Sequence, residues 1–423
     1  MKIPEQIDLL PQMGKWLLLA TLVAALAGSA SALFLVSLEW ATATREAHRW
    51  LLWLLPLAGF VVGWVYLQFG QRVEAGHNLL IDEIHDPKKT IPLRMAPLIL
   101  LSTVISHLFG ASVGREGTAV QMGGALADQV TALFKLSAED RRLLLMAGIS
   151  AGFASVFGTP LAGAVFGLEV LALGRMRYDA LWPCFVSAIV ADQVTRLWGV
   201  GHAHYLAGDV PALATWPLLA VVIAGALFGV TGMVFAEATH ALSARVKKLI
   251  GYAPLRPLIG GIVFAAAVWW LDAWRYVGLG LPQIAESFHA SVPPWDFAAK
   301  LVATVWSLGS GFKGGEVTPL FFIGATLGHA VAPLLHQPVG FVAAPGFVAV
   351  FAGAANTPLA CTLMAMELFG AHIGVYAALA CVASYLFSGH TGIYRSQRIG
   401  HGKHRAVPEG IKLGDVGQHE RPR

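Results

Sequence analysis

From Val317 to Met366 the chain runs for 50 residues without an aspartate, glutamate, lysine or arginine. Further runs free of these four residues extend from Trp16 to Leu38, Trp50 to Gln71, Met95 to Gly114, Leu143 to Leu168, Val210 to Ala236 and Leu368 to Tyr394. Each is near or above the ~20 residues a helix needs to cross a bilayer. The longest run must hold at least two helices, and Pro333, Pro338, Pro345 and Pro358 mark where it turns. Only 13% of residues are charged, against ~25% in soluble domains. The composition therefore predicts an all-α integral membrane protein whose solvent is the lipid bilayer. The ~10-residue alternation of a transmembrane barrel is absent from these Leu/Ala/Val/Gly runs.

Two motifs recur in the same order. Gly114-Arg115-Glu116-Gly117-Thr118 returns 200 residues later as Gly314-Gly315-Glu316-Val317-Thr318. Thr159-Pro160-Leu161-Ala162, with Glu169 ten residues past the threonine, returns 198 residues later as Thr357-Pro358-Leu359-Ala360 with Glu367. The chain reads as one transport domain made of two related halves, about 15–200 and 210–395, followed by a short tail, 396–423. In such transporters the substrate site lies near the midplane, between the repeats.

The 46 glycines and 22 prolines fall inside the apolar segments as well as between them, as expected where helices pack closely or stop partway through the bilayer. A helix that starts inside protein points unpaired N–H groups and a positive dipole end at whatever lies there, and an anion suits both. Glu116 lies at such a depth, between apolar runs. A carboxylate inside a membrane is costly and usually functional, because it can carry a proton as the acid or occupy an anion site as the anion. The structural alternative is an ion pair with Arg115.

Other chemistry is weakly represented. Cys184, Cys361 and Cys381 sit in apolar surroundings and read as small buried hydrophobes. His202-Ala203-His204 and His401-Gly402-Lys403-His404 lack the companions of a metal site, so no metal or other cofactor is expected. No phosphate-binding Gly-rich loop with Lys-Ser/Thr occurs. Gly-x-Ser-x-Gly occurs around Ser112 and Ser150, but in apolar small-residue stretches where helix packing explains it, and no enzyme is expected. Glu5 and Asp8 precede a first apolar run too long for a signal peptide. Basic clusters at Arg72/Lys88/Lys89/Arg94, Arg245/Lys247/Lys248/Arg256 and Arg395/Arg398/Lys403/Arg405 mark cytoplasmic segments and place the C-terminus inside. The net charge of +4 is explained by that orientation and needs no nucleic-acid partner.

Gly114-Arg115-Glu116-Gly117, Thr159-Pro160-Leu161-Ala162-Gly163 and the paired halves resemble the CLC family of chloride channels and anion/proton exchangers, from about residue 15 to 395. Chloride-selective members carry Gly-x-Phe-x-Pro where this chain has Gly311-Phe312-Lys313-Gly314-Gly315-Glu316-Val317-Thr318-Pro319, a version that resembles the bacterial fluoride-exporting branch. The resemblance implies a homodimer in the bacterial inner membrane, with one anion pathway per subunit, built of broken, tilted helices in two inverted repeats.

It also implies roles. Glu116 matches the gating glutamate that competes with the anion and ferries the proton. Val317 and Thr318 match the lining of the central anion site, with Thr118 their counterpart in the first half, and Tyr394 matches the tyrosine whose hydroxyl faces that site. Its alternative is an aromatic anchor at the membrane surface. Gly76-His77-Asn78 replaces the family's serine loop, so His77 or Asn78 would donate to the anion; a solvated loop histidine beside Asp82-Glu83 is the alternative. Val170 stands where classical exchangers have a second acid after Glu169. Glu316 is then a candidate proton helper, unless it merely neutralises Lys313, which otherwise supplies a field favourable to anions. The function implied is fluoride/proton antiport that exports fluoride on the proton gradient, with a chloride/proton exchanger or a passive anion channel as the alternative.

Overall fold

The computed structural model describes residues 5–203 and 205–419, and among these the fold is almost entirely helical. In the first half, α1 (Glu5–Ala47), α2 (Leu55–Val65), α3 (His77–His85), α4 (Met95–Leu108), α5 (Glu116–Leu133), α6 (Ala138–Phe157), α7 (Pro160–Glu169) and α8 (Leu181–Leu197) follow in order. The second half holds α9 (Thr215–Leu249), α10 (Leu255–Trp270), α11 (Leu281–Glu286), α12 (Asp296–Gly309), α13 (Val317–Val331), α14 (Val339–Ala355), α15 (Pro358–Phe369) and α16 (Gly374–Phe387), and a last turn, α17 (Val416–His419), closes the tail.

Helix length corrects the simplest reading of the apolar runs. Among the described residues, only the segments Leu9–Ala47, Arg49–Gly70 and Thr215–Leu249 are long and apolar enough to cross a membrane alone. The run from Met95 to Gly114 yields the 14-residue α4 and then a loop, and the run from Leu143 to Leu168 splits between α6 and α7. The long run divides into α13, α14 and α15 at Pro333/Pro338 and at Pro358. Pro345 does not turn the chain. It lies inside α14, where every residue from Gly340 to Ala355 is buried and neighbouring helices compensate for the missing N–H.

The two halves repeat at the level of helix ends. Gly158 (φ +69°) closes α6 and Asn356 (φ +59°) closes α14, both left-handed, and each is followed by a threonine and a proline that opens the next helix. Half-helix α5 crosses α6 where Gly123 meets the backbone of Gly148, and α13 crosses α14 where Gly324 meets Gly346. A Cβ on Gly148 would lie 2.7 Å from the Ala127 Cβ, so only glycine permits this approach. Behind the crossings, Phe153 stacks on Phe166 and Phe321 on Phe347, with ring centroids 4.2 and 4.1 Å apart. The outer faces carry Leu18, Leu33 and Leu57 more than half exposed, as lipid-facing surface requires.

The tail is folded rather than loose. In it, β2 (Arg398–Ile399) pairs in parallel with β1 (Ala172–Leu173), Gln397 Nε2 donates to the Val170 and Ala355 carbonyls, and Lys412 pairs with Asp82 at 2.7 Å. Leu413 and Val416 are buried beneath it.

Candidate functional site

The repeated glycine motifs meet head to head. Gly315 N–H donates to the Gly114 carbonyl at 2.8 Å and Gly114 N–H donates back, forming a short antiparallel bridge. A Cβ on Gly315 would lie 2.8 Å from the Gly117 amide, so the close approach depends on glycine. The bridge aims the N-termini of α5 and α13 at the same place.

Glu116, the first residue of α5, reaches across the bridge to the start of α13. Thr318 N–H donates to its Oε2 at 3.0 Å, and the Thr318 hydroxyl lies 2.5 and 2.6 Å from the two carboxylate oxygens. Arg115 adds its amide at 3.2 Å and Nε at 3.3 Å. The side chain is 1% exposed. The expected Arg115 pairing is therefore present, yet it is one of several contacts, and the shortest go to the opposite half. A carboxylate thus satisfies an orphan N–H of a half-helix, a position whose N–H groups and dipole suit negative charge. Val317 opens α13 and is 2% exposed. Thr318 follows it inside the helix and does not cap it.

A second group lies on the side toward the tail. His77 opens α3, and its ring approaches the backbone one residue past Glu116, since a Cβ on Gly117 would lie 2.9 Å from His77 Cε1. Its ring lies 5.0 Å from that of Tyr394. His77 Nε2 and the Tyr394 hydroxyl are both buried without a hydrogen-bond partner among the described residues. Tyr394, 2% exposed, is not a surface anchor, and His77 is not a solvated loop residue. Two unpartnered polar atoms cost free energy unless something else engages them, so a polar occupant fits here. Glu316 borders the same region, its Oε2 3.8 Å from the Cβ position of Gly117.

The remaining candidates are occupied otherwise. Asn78 Oδ1 accepts from the Ser396 amide at 2.9 Å, and Ser396 Oγ donates to Asp82 at 3.0 Å. Thr118 shares a 2.7 Å hydroxyl contact with Thr103 on α4. Lys313 does not pair with Glu316 among the described residues; its ammonium sits 4.3 Å from the Tyr66 ring centroid. Glu169 is bound at both oxygens by the Leu359 and Ala360 amides. Ser112 bonds Thr304, and Ser150 bonds the Ala164 carbonyl. The three cysteines are free and buried. Of the histidine pairs, His204 lies outside the described residues, and no three potential metal ligands cluster among those described.

A vestibule of about 970 Å³ beside Arg115 has walls that carry Arg45, Arg49, Arg115 and Arg275 as well as Glu39 and Glu46. It shares Arg115, Val156, Ala203 and Leu281 with a void of about 20 Å³ that is bounded by Arg115, Glu116, Thr318 and Tyr205 together with Phe157 and Phe321. Tyr205 was not expected from sequence: it lies in the loop joining the halves, outside either repeated motif.

This arrangement of opposed half-helix N-termini around a buried carboxylate fits a membrane protein of ion-transport class. The family model for voltage-gated chloride channels matches residues 58–389, and the chain belongs to this CLC family. It is 66% identical to the chloride/fluoride channel protein of Pseudomonas syringae pv. tomato, over 98% of this chain and 93% of that one. It is 29% identical to the H(+)/Cl(-) exchange transporter ClcA of Cronobacter sakazakii, over 83% of this chain and 81% of that one. Among solved structures, a CLC-type fluoride/proton antiporter shares the fold with a TM-score of 0.89 at 33% identity, covering 92% of this chain and 99% of that one. A slow cyanobacterial Cl−/H+ antiporter shares it with a TM-score of 0.78 at 19% identity, covering 90% of this chain and 96% of that one.

Proposed function

We propose that this chain is a fluoride/proton antiporter that exports fluoride across the bacterial inner membrane, driven by the inward proton gradient. The observation that carries the reading is the Glu116 carboxylate held by the Thr318 amide and hydroxyl, between an arginine-lined vestibule and a buried polar group. Protonation removes the charge that holds Glu116 at the α13 N-terminus, and an anion then takes its place. Return of the carboxylate expels the anion. One turnover thus exchanges an anion for a proton, and one side chain enforces it.

Fluoride is supported by the donors present. A small, strongly hydrated anion needs short hydrogen bonds in place of its water, and Thr318, His77 and Tyr394 offer O–H and N–H groups. The 33%-identical fluoride/proton antiporter structure and the 66%-identical chloride/fluoride relative support the same substrate. Glu316, beside His77 and Tyr394, is the proposed inner proton carrier, since both oxygens of Glu169 are bound to α15. We take the halves to be repeats of about 15–200 and 210–395, the tail face to be cytoplasmic by its basic residues, and the protein to form a homodimer with a pathway in each subunit. Passive anion conduction is the second reading, favoured by the word channel in the relative's name.

Proteoliposomes with fluoride and pH electrodes outside decide between them. Fluoride efflux with matching proton uptake, exceeding chloride flux and uncoupled in Glu116→Ala, is the expected result. Fluoride flux without proton movement makes the protein a channel, and equal chloride flux removes the selectivity.

A further inference from the structure

We propose that the narrow neck outside Glu116 is a separate outer anion station. In it a single dehydrated halide accepts hydrogen bonds from the Tyr205 hydroxyl and the terminal guanidinium nitrogens of Arg115. The inference rests on the reading of the chain as an anion transporter.

The void of about 20 Å³ has room for one water-sized species and no hydration shell around it. Its walls cannot easily give way. Phe157 and Phe321 contact at 5.3 Å between centroids, and Phe321 stacks on Phe347. An anion entering from the 970 Å³ vestibule must therefore shed its water here, which is costly unless polar donors replace it.

Four residues bring polar groups to the void. Glu116 and Thr318 are engaged with each other. Arg115 spends its amide and Nε on Glu116, and its two terminal nitrogens have no protein partner among the described residues. The Tyr205 hydroxyl likewise has none, although its ring is fixed by Phe288, Phe347 and Phe369 at 5.4, 5.5 and 5.9 Å and its amide donates to the Leu368 carbonyl. A tyrosine held rigidly by its ring and a half-used arginine thus line a one-ion void. Arg115, bound to Glu116 on one edge, also shields a waiting anion from the returning carboxylate. The station holds the anion that has just passed Glu116, or the next to enter, while the carboxylate occupies the Thr318 site.

The test uses right-side-out and inverted membrane vesicles from expressing cells, so that every copy faces one way, and measures inhibition of fluoride efflux by fluoride on the far side. Tyr205→Phe keeps the ring and its aromatic contacts and removes only the hydroxyl. Fluoride applied on the vestibule side is expected to need about tenfold higher concentration for half-inhibition, the effect of one hydrogen bond to an ion, with less than a twofold change on the tail side. Arg115→Gln is expected to shift the same side. Equal shifts on both sides, or none in either variant, overturn the station. If the wild-type protein carries chloride rather than fluoride, the fluoride reading fails, and the same one-sided comparison made with chloride decides the station. A protein that moves neither anion overturns both.

Discussion

Glu169 and Glu367 close each other's helices. Glu169, the last residue of α7, accepts from the Leu359 and Ala360 amides that open α15 at 3.0 and 2.8 Å, and Glu367, near the end of α15, accepts from the Leu161 and Ala162 amides that open α7, both at 2.9 Å. The two short helices lie antiparallel, each carboxylate resting on the positive end of the other. Replacing either glutamate by glutamine leaves one oxygen to serve two N–H groups, and the expected loss is about 1–2 kcal/mol. The two losses should not add, because both act on one helix pair. Thermal unfolding in detergent measures them. Since Glu169 is wholly used in this cap, Glu169→Gln should leave the number of protons moved per anion unchanged.

Thr318→Val removes the hydroxyl that lies against Glu116 and keeps the backbone N–H. In a Glu116→Gln background, where the carboxylate no longer competes, fluoride binding measured by calorimetry should weaken about tenfold without disappearing, because the amide still faces the ion.

Gly148→Ala should be among the most damaging single-methyl changes in the chain. The new carbon would sit within 2.7 Å of Ala127 and against the Gly123 backbone, forcing α5 off α6 and shifting the Glu116 end of α5 with it. The expected outcome is loss of monodisperse protein on size exclusion, while Gly199→Ala, with open space around it despite its left-handed φ of +80°, costs only about 1 kcal/mol.

Asn78 is oriented by the tail, since its Oδ1 accepts from the Ser396 amide two residues past Tyr394. Asn78→Leu leaves that N–H unpaired at a cost of about 1–3 kcal/mol. It should raise the fluoride concentration needed for half-maximal efflux from the tail side more than it lowers the maximal rate.

Lys403 gives the tail a pH dependence. It lies beneath the end of α16, its ammonium donating to the Tyr385 carbonyl at 2.6 Å and to Ser388 Oγ at 2.8 Å, with no carboxylate paired to it among the described residues. Burial pushes its pKa down to about 7 from 10.5. Between those values the released tail binds a proton that the docked tail does not, so docking strengthens as pH rises from about 7 to about 10.5 and is weakest below 7. Limited proteolysis of the tail should slow across that window in the wild type and stay flat in Lys403→Met.

The sequence by itself determined the solvent, the recurrence of two motifs and the placing of a lone acid between apolar runs. Charge-free runs, the two motifs repeated at offsets of 200 and 198, and a lone glutamate between apolar segments follow from transfer energetics that act residue by residue, so they survive without coordinates. Helix ends were legible wherever glycine or proline dictates backbone shape, as at Gly158 and Pro358, and misleading at Pro345, where surrounding helices supply what the proline lacks. Tertiary structure alone decided partnership. That Glu116 rests on Thr318, that Glu169 is spent on α15, that Lys313 faces Tyr66 and not Glu316, and that Tyr205 borders the neck all join residues from different elements. Such contacts depend on how helices cross, and crossing is set by van der Waals fit at the paired glycines, a property of two surfaces together that no single stretch of chain encodes.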